Sequence, residues 1–136
     1  MSLTVELVSP EGTSFSGEAD MVIARIQGEG DIAFQAGHVP FIGVLAVHEV
    51  RVLNGSEETA IAVHSGFVQV SGSEVSILSD VSESADEIDV DRAKAAKAAA
   101  EQALAANDED ADAAAALQRA EVRLRVAGAT TGAASH

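Results

Sequence analysis

The residues best suited to chemistry in this sequence are an aspartate and an arginine at the start of a predicted helix. Asp89 and Arg92 are three positions apart, so their side chains share one helix face. Arg119 and Arg123, four apart on a second predicted helix, share a face that can turn toward them. Guanidinium groups bind phosphate oxygens, a helix N-terminus favours anions, and a carboxylate accepts hydrogen bonds from a ribose or an amino group. The set predicts a site for a ligand with phosphates and a hydroxyl-bearing ring.

The same residues also fit a purely structural role. In that interpretation Asp89 or Asp91 caps the N-terminus of the helix, and Arg92 pairs with a neighbouring acid. Spacing alone leaves both interpretations open.

Patterns typical of enzymes are missing from the sequence. Cysteine is absent, which excludes disulfides, thiolate metal sites and cysteine nucleophiles. The four histidines show no spacing typical of metal ligands, and His48 and His64 fall at the ends of predicted strands, where we expect structural roles. Ser65-Gly66 lacks the flanking residues of a nucleophile elbow. We therefore expect no catalytic residue, no metal site and no resident cofactor.

The charge distribution limits the partners that this chain can bind. A formal net charge of -14 argues against nucleic acid and against insertion into anionic lipid, because both favour clustered Lys and Arg. No stretch approaches the roughly 18 uninterrupted apolar residues of a membrane span. Most of the basic residues follow residue 90, which indicates two segments with different tasks. We expect partner surfaces that are neutral or basic.

Residues 3–78 alternate apolar and polar side chains and are rich in β-branched residues, as strands are. Asn54-Gly55 predicts a tight hairpin turn, and Ser71-Gly72-Ser73 predicts another. Many short strands without intervening helices favour an antiparallel β-sandwich or flattened barrel. The side chains expected to face its core are Val5, Leu7, Ile23, Ile32, Phe34, Ile42, Leu45, Val52, Ile61, Val63, Phe67, Val70, Val75 and Ile77.

The strand pattern stops at Ser79. Residues 81–90 are rich in acids and serines, which predicts a linker, and Ser84 with Glu87 three positions later forms a helix-capping pair. Residues 91–127 are rich in alanine and predict an antiparallel helical hairpin, while the small residues 128–136 predict a disordered tail. The sequence therefore predicts an α+β chain, with a β-sandwich over residues 1–80, an acidic linker and a C-terminal hairpin.

The predicted hairpin has few large apolar side chains to bury. Replacing Leu by Ala at a buried site loses roughly 2–5 kcal/mol, so an Ala-rich seam holds less tightly than a Leu-rich one. Isolated helices of about 15 residues are also marginal in water. We expect a weakly docked hairpin whose position a partner or a ligand can reset.

Residues 28–40 combine glycines with Glu29, Asp31, His38 and Pro40. Glycine allows backbone angles denied to other residues, and proline restricts the residue before it, so we expect a shaped surface loop. Turn chemistry alone leaves open whether the loop does more than connect two strands.

Several short motifs, in this order along the chain, resemble the ε subunit family of bacterial F-type ATP synthases, equivalent to the mitochondrial δ subunit. The resemblance extends over about residues 5–126. It includes the family's E-G-x-[LI]…P-G-H-x-P loop and its [IL]-D-x-x-R-A nucleotide motif. The matching segments are Val8-Ser-Pro-Glu11, Glu29-Gly-Asp-Ile32, Gly37-His-Val-Pro40, Ser65-Gly-Phe-Val68 and Ile88-Asp-x-x-Arg-Ala93.

The resemblance implies a non-catalytic rotor subunit, whose sandwich binds the γ subunit and rests on the polar loops of the c-ring. It implies contacts with these partners from Glu29, Asp31 and His38. In this family the hairpin folds on the sandwich or extends along γ toward the catalytic αβ head, where it inhibits ATP hydrolysis. Such a subunit is a peripheral part of the F1 sector on the cytoplasmic face of the bacterial cell membrane.

The resemblance also implies ATP as a regulatory ligand of the folded hairpin. The chain departs from the family pattern at Ala36, where the loop usually has proline, and in the scarcity of leucine along the hairpin. The alternative from another class of protein is a free-standing, non-enzymatic, ligand-binding β-sandwich with a helical tail. The nucleotide site that the resemblance implies consists of Ile88, Asp89, Arg92, Ala93, Arg119 and Arg123.

Overall fold

The structure, a computed structural model, describes residues 2–132. Within these residues ten strands form two five-stranded sheets, and two α-helices follow. The strands are β1 (Leu3–Ser9), β2 (Gly12–Ala19), β3 (Met21–Ile26), β4 (Gly30–Phe34), β5 (His38–Val44), β6 (His48–Asn54), β7 (Glu57–Val63), β8 (Gly66–Gly72), β9 (Glu74–Ser79) and β10 (Ser82–Ser84). The helices are a short 3-10 helix (Ala85–Glu87), α1 (Val90–Ala106) and α2 (Ala111–Gly132).

The two sheets stack as a sandwich, as predicted. The first sheet has the strand order β2-β1-β9-β8-β5, and the second has the order β10-β7-β6-β3-β4. Among the strand pairs that the structure describes, only β1 with β9 is parallel. Gly55 and Gly72, in the two predicted hairpin turns, have φ of 63° and 61°, which favours glycine. The predicted α+β fold, a sandwich followed by a helical hairpin, is confirmed.

The core lies between the two sheets and follows the period-two alternation of the strands. In β1, Leu3, Val5 and Leu7 are fully buried, whereas Thr4 and Glu6 between them are exposed. This alternation is what allows one face of each sheet to be apolar and the other to meet solvent.

Three residues that were expected to face the core do not. Ile42 and Phe67 are 67% and 42% exposed, and Ile23 is only half-buried. The direct neighbours Val22 and Val68 are fully buried instead, and Phe41 beside Ile42 packs against the core. Because successive side chains point to opposite faces of a sheet, a neighbour that faces the core directs each of these residues outward.

The predicted linker at residues 81–90 contains a strand. Strand β10 pairs antiparallel with β7, with Glu83 opposite Ala62. Its sequence, Ser-Glu-Ser, carries no strand signal, and the open edge of β7 supplies the pairing that makes it a strand. Ser84 and Glu87 form the predicted cap, since the Glu87 carboxylate accepts the Ser84 N–H at 3.0 Å, but they cap the 3-10 helix rather than α1.

Helices α1 and α2 pack together as the predicted hairpin, and α2 lies against β6, β7 and β10 of the second sheet. Helix α2 continues to Gly132, beyond the predicted end at residue 127, so residues 128–132 are helical rather than part of a disordered tail. The rest of the predicted tail, residues 133–136, lies outside the described residues. The apolar contact under the hairpin is a small cluster of Ala62, Ile88, Val122 and Val126.

Candidate functional site

The motif at the start of α1 forms a helix cap. Asp89 is the N-cap residue, and its Oδ1 accepts the backbone N–H of Arg92 at 3.1 Å. Ile88 is buried in the cluster under the hairpin, and Ala93 is buried as well. The capping role predicted for Asp89 is therefore confirmed, and the two apolar residues of the motif contribute packing.

A cavity of about 290 Å³ opens beside this cap. Neither Arg119 nor Ile88 lines it, so the structure brings together four of the six residues predicted for a nucleotide site. The lining carries two acids and two arginines, and an anion that binds Arg123 must displace the carboxylate of Glu83. The lining residues are Glu83, Asp89, Arg92, Ala93, Ala96 and Arg123.

The carboxylate that pairs with Arg123 belongs to Glu83. Arg123 Nε donates to Glu83 Oε1 at 2.7 Å, and His64 Nε2 lies 3.1 Å from the same oxygen. Burial of the ring, reinforced by Arg123 and Arg119, lowers the pKa of His64 in spite of Glu83. Glu83 was missed from the sequence because no pattern distinguishes it within its acid-rich segment. We call Arg123, Glu83 and His64 the first seam cluster.

Arg125 makes a second contact of the same kind. Its Nε donates to Glu49 Oε1 at 3.1 Å, and its Nη2 donates to His48 Nδ1 at 2.9 Å. Burial, together with Arg25 and Arg125, lowers the pKa of His48 against the opposing charge of Glu49. We call Arg125, Glu49 and His48 the second seam cluster. Two arginines of α2 thus fasten the hairpin to the sandwich. We call this contact between α2 and the sandwich the seam.

The predicted surface loop at residues 28–40 is divided by strand β4. Glu29 lies in the turn before β4 and Asp31 near the start of that strand, whereas His38 begins β5 beyond its other end. The five residues of β4 separate these two ends by roughly 16 Å. Glu29 and Asp31 therefore lie toward one end of β4, and His38 lies beyond its other end.

Asp31 and His38 both have partners within the sandwich. Arg25 Nε donates to Asp31 Oδ1 at 2.9 Å, and this hydrogen bond lowers the pKa of Asp31. The His38 ring packs edge-on against Phe34, with ring centroids 5.0 Å apart, and its Nδ1 donates to the Val39 carbonyl at 2.7 Å. The fold thus orients both side chains on its own.

An apolar row crosses the outer face of the first sheet. Val44 of β5 pairs with Phe67 of β8, Phe67 pairs with Leu78 of β9, and Leu78 pairs with Val8 of β1. Val44, Phe67 and Leu78 are 52%, 42% and 45% exposed. Contiguous exposed apolar residues of this kind mark protein interaction sites. We call Val8, Val44, Phe67 and Leu78 the apolar row.

Within residues 2–132, no three His, Asp or Glu side chains are grouped to hold a metal ion. Over the same residues no helix has both the length and the apolar character needed to cross a membrane. What the fold and the site do define is a two-part protein, in which the sandwich exposes an apolar row and a helical hairpin is fastened to it by two ionic clusters.

Comparison with known proteins identifies the family. Residues 2–85 match the β-sandwich domain of the ATP synthase delta/epsilon chain, and residues 86–128 match the long α-helix domain of the same chain. The protein belongs to the delta/epsilon chain family of ATP synthases. The resemblance found in the sequence motifs is confirmed.

The similarity to relatives extends over nearly their whole length. The chain is 49% identical to the ATP synthase epsilon chain of Thermobifida fusca over 130 residues, which cover 92% of this chain and 91% of the relative. It is 39% identical to that of Shouchella clausii over 127 residues, covering 93% and 95% of the two chains. The chain is thus a subunit of an ATP synthase, and it is not the subunit that carries the catalytic site.

Two solved structures share the fold. A chain of the Euglena gracilis mitochondrial ATP synthase, in an OSCP/F1/c-ring assembly, matches with a TM-score of 0.68 and 22% identity, covering 99% of this chain and 82% of that one. A chain of the Tetrahymena thermophila central stalk and c-ring matches with a TM-score of 0.54 and 16% identity, covering 96% and 97%. At these identities the two matches establish the fold alone.

Proposed function

We propose that this chain is a rotor subunit in the central stalk of an F-type ATP synthase, where its sandwich joins the γ subunit to the c-ring at the cytoplasmic face of the bacterial membrane. The observation that carries this proposal is the match of both family domains, in order, over residues 2–128. The subunit makes no bond itself, but turns with the rotor and restrains wasteful hydrolysis. No observation favours the alternative of a free-standing ligand-binding sandwich.

The apolar row supports docking of γ on the outer face of the first sheet. Its side chains Val44, Phe67 and Leu78 are exposed in the isolated chain, and a partner that covers them gains apolar burial at about 25 cal/mol per Å² before the costs of association.

Charge substitution in the apolar row tests this assignment. We expect Phe67→Asp with Leu78→Asp to weaken co-purification with γ at least roughly tenfold, because two desolvated charges would enter the interface. Ser76→Asp is the matched control, since Ser76 is exposed on the same strand as Leu78 but outside the row. Equal recovery of γ with the parent chain, the double variant and Ser76→Asp would mean that γ does not dock on this face.

The end of the sandwich that carries Glu29, in the turn before β4, and Asp31, near the start of β4, supports a contact with basic loops of the c-ring. Both residues are exposed at one end of the sandwich, and charge complementarity steers association. We expect Glu29→Gln to weaken binding to the isolated c-ring more at low salt than at high salt. A salt-independent effect would mean that the charge of Glu29 is not the cause.

The hairpin supports regulation of hydrolysis by a change of position. In the docked form its apolar contact with the sandwich is small, and two ionic clusters hold α2. An extended hairpin lies along γ and reaches the αβ head, where Arg123 and Arg125 meet acidic side chains. Each arginine then exchanges a carboxylate of the sandwich for one of the head, so the two positions differ by only a few kcal/mol.

Truncation tests the regulatory role. A chain that ends at Glu87 keeps β10, which belongs to the sandwich, and removes both α-helices. We expect this chain to assemble with γ and the c-ring and to raise ATP hydrolysis by the complete synthase. Failure to assemble would show that the hairpin is needed for docking, and unchanged hydrolysis would contradict the regulatory role.

The cavity beside the cap supports a further proposal, that ATP binds the docked hairpin. Arg92 and Arg123 offer guanidinium groups to phosphate oxygens once Glu83 releases Arg123. Calorimetric titration of ATP into the parent chain, Arg92→Gln and the control Lys97→Gln tests this. Heat from the parent and the control but not from Arg92→Gln supports the site, and no heat from any chain leaves Asp89 with its capping role alone.

A further inference from the structure

The second seam cluster contains a histidine whose contacts depend on its protonation state. Arginine carries donors only, so the 2.9 Å contact from Arg125 Nη2 requires a lone pair on His48 Nδ1. A neutral ring with its proton on Nε2 supplies that lone pair. Glu49 Oε1 lies 3.0 Å from the same nitrogen, so a protonated ring donates to Glu49 and can no longer accept from Arg125. One proton therefore removes a bond between α2 and the sandwich.

The first seam cluster opposes protonation for a different reason. An ionised Glu83 only accepts hydrogen bonds, so His64 Nε2 is the donor across 3.1 Å and Nδ1 is the unprotonated nitrogen. His64 Nδ1 is buried with no hydrogen-bond partner among the residues that the structure describes. A proton added at Nδ1 is buried without an acceptor, next to the positive charge of Arg123.

We propose that the seam is a proton-sensitive latch, in which protonation of His48 and His64 weakens the docking of α2 on the sandwich; this inference rests on the movable hairpin of the proposed function. The charged groups that face His64 are Glu83 from β10 with Arg119 and Arg123 from α2. Those that face His48 are Glu49 from its own strand, Arg25 from β3, Asp31 from β4 and Arg125 from α2.

The direction of the pH effect follows from what docking adds to each ring. Docked α2 brings an arginine to each histidine, and this positive charge disfavours the charged imidazole. The pKa of His48 and of His64 lies below its ordinary value of about 6.5 in the docked chain, with burial as the largest cause. Docking is then fully favourable above that ordinary value, and it weakens as the pH falls from there through the lowered pKa. The latch holds near neutral pH and loosens in mild acid.

A pair of fluorescent labels on the full chain tests the latch. The sequence has no cysteine, so Ser56→Cys and Asp108→Cys attach dyes only to the exposed β6–β7 turn and the tip of the hairpin. We expect the docking equilibrium constant, read from energy transfer, to fall roughly tenfold between pH 8 and pH 5.5. An unchanged constant overturns the proposal.

Two conservative substitutions provide the matched control. His48→Asn keeps an acceptor close to the position of Nδ1, and His64→Gln keeps a donor close to the position of Nε2, but neither side chain titrates. In the labelled chain with both substitutions we expect docking at pH 8 as in the parent and no loss at pH 5.5. A loss equal to that of the parent overturns the latch.

Two further readouts keep the proposal testable if that variant does not fold. NMR titration of the histidine Cε1 protons in the parent gives both pKa values directly, and values at or above about 6.5 overturn the latch. If docking of the hairpin does not change with pH, but the hairpin leaves the sandwich when γ is added, only the latch is overturned. If the hairpin stays docked under all of these conditions, the movable hairpin of the proposed function is overturned as well.

Discussion

Glu83 of β10 and Arg123 of α2 are joined across the seam by a hydrogen bond of 2.7 Å between Oε1 and Nε. The two residues are 40 positions apart in the sequence. The same carboxylate oxygen lies 3.1 Å from His64 Nε2 at the end of β7. One side chain therefore connects an edge strand, its neighbour in the sheet and the second helix of the hairpin.

Removing the charge of Glu83 is expected to loosen the hairpin while leaving the sandwich intact. Hydrogen bonds to charged groups contribute about 1.5–3 kcal/mol, and partial exposure reduces this, so we expect Glu83→Gln to weaken docking by roughly 1–2 kcal/mol. Amide hydrogen exchange measures protection in α2 and in β8 separately. Glu101→Gln, on an exposed position of α1, is the control. Equal loss of protection in both elements would contradict a role confined to the seam.

The cap at Asp89 predicts different results for two substitutions. Asp89→Ala removes the acceptor for the Arg92 N–H and is expected to lower the free energy of unfolding of the hairpin by about 1 kcal/mol. Asp89→Asn keeps an acceptor and is expected to stay within a few tenths of a kcal/mol of the parent. Urea unfolding followed by far-UV circular dichroism measures both. Equal losses would mean that the charge of Asp89, rather than its acceptor, stabilises α1.

The sandwich was predictable because its strands carry strong local signals. Alternation in β1 and the glycines at 55 and 72 are properties of neighbouring residues, and the fold preserves them. The errors concern which face of a strand is buried. Phe67 is among the residues predicted to face the core, but Val68 and Val70 occupy the inner face of β8, so Phe67 lies outward in the apolar row.

The seam could not be predicted from the sequence in the same way. Strand β10 exists because β7 offers an open edge, a property of the folded sheet rather than of Ser-Glu-Ser. Arg123 was a candidate ligand-binding residue because of its spacing from Arg119, but no local sequence pattern indicated that it would form an ion pair with Glu83. Ion pairs between residues far apart in sequence depend on how the elements pack, and only the structure shows that.

The backbone at Gly66 leaves no room for a side chain. Its φ is +135°, and an added Cβ would lie 2.1 Å from the carbonyl oxygen of Leu78. We expect Gly66→Ala to destabilise the sandwich by roughly 2–5 kcal/mol, from backbone strain and steric overlap together. Gly72→Ala is the control, because Gly72 has φ of +61° but open space around it, and should lose about 1–2 kcal/mol. Thermal unfolding measures both, and equal losses would contradict the steric argument.

The pair of Arg25 and Asp31 predicts a small effect that depends on pH. The Arg25 hydrogen bond lowers the pKa of Asp31, so its contribution to stability is present above the ordinary value of 3.8 and lost as the pH falls through the lowered value. Both side chains are almost half exposed. We expect a double-mutant cycle of Arg25→Gln and Asp31→Asn to give a coupling below about 1 kcal/mol at pH 7. A larger coupling would show that water does not screen the pair.

Ile88 is expected to control docking more than it controls the stability of the sandwich. It is the largest residue of the apolar cluster under the hairpin, which otherwise contains alanine and valine. Truncation of a buried isoleucine to alanine costs about 2–5 kcal/mol of stability. We expect Ile88→Ala to fall at the lower end, because Ile88 is slightly exposed whereas its cluster neighbours Val122 and Val126 are fully buried. Ile61→Ala, in the main core, is the control and should instead destabilise the sandwich.

Two measurements distinguish these effects of Ile88→Ala and Ile61→Ala. Urea unfolding, with separate probes on α2 and β8, should show an earlier α2 transition for Ile88→Ala and an earlier transition of both elements for Ile61→Ala. In the assembled synthase, a freed hairpin spends more time extended, so Ile88→Ala should also lower ATP hydrolysis. If α2 loosens while hydrolysis rises, the docked hairpin and not the extended one is the inhibitor.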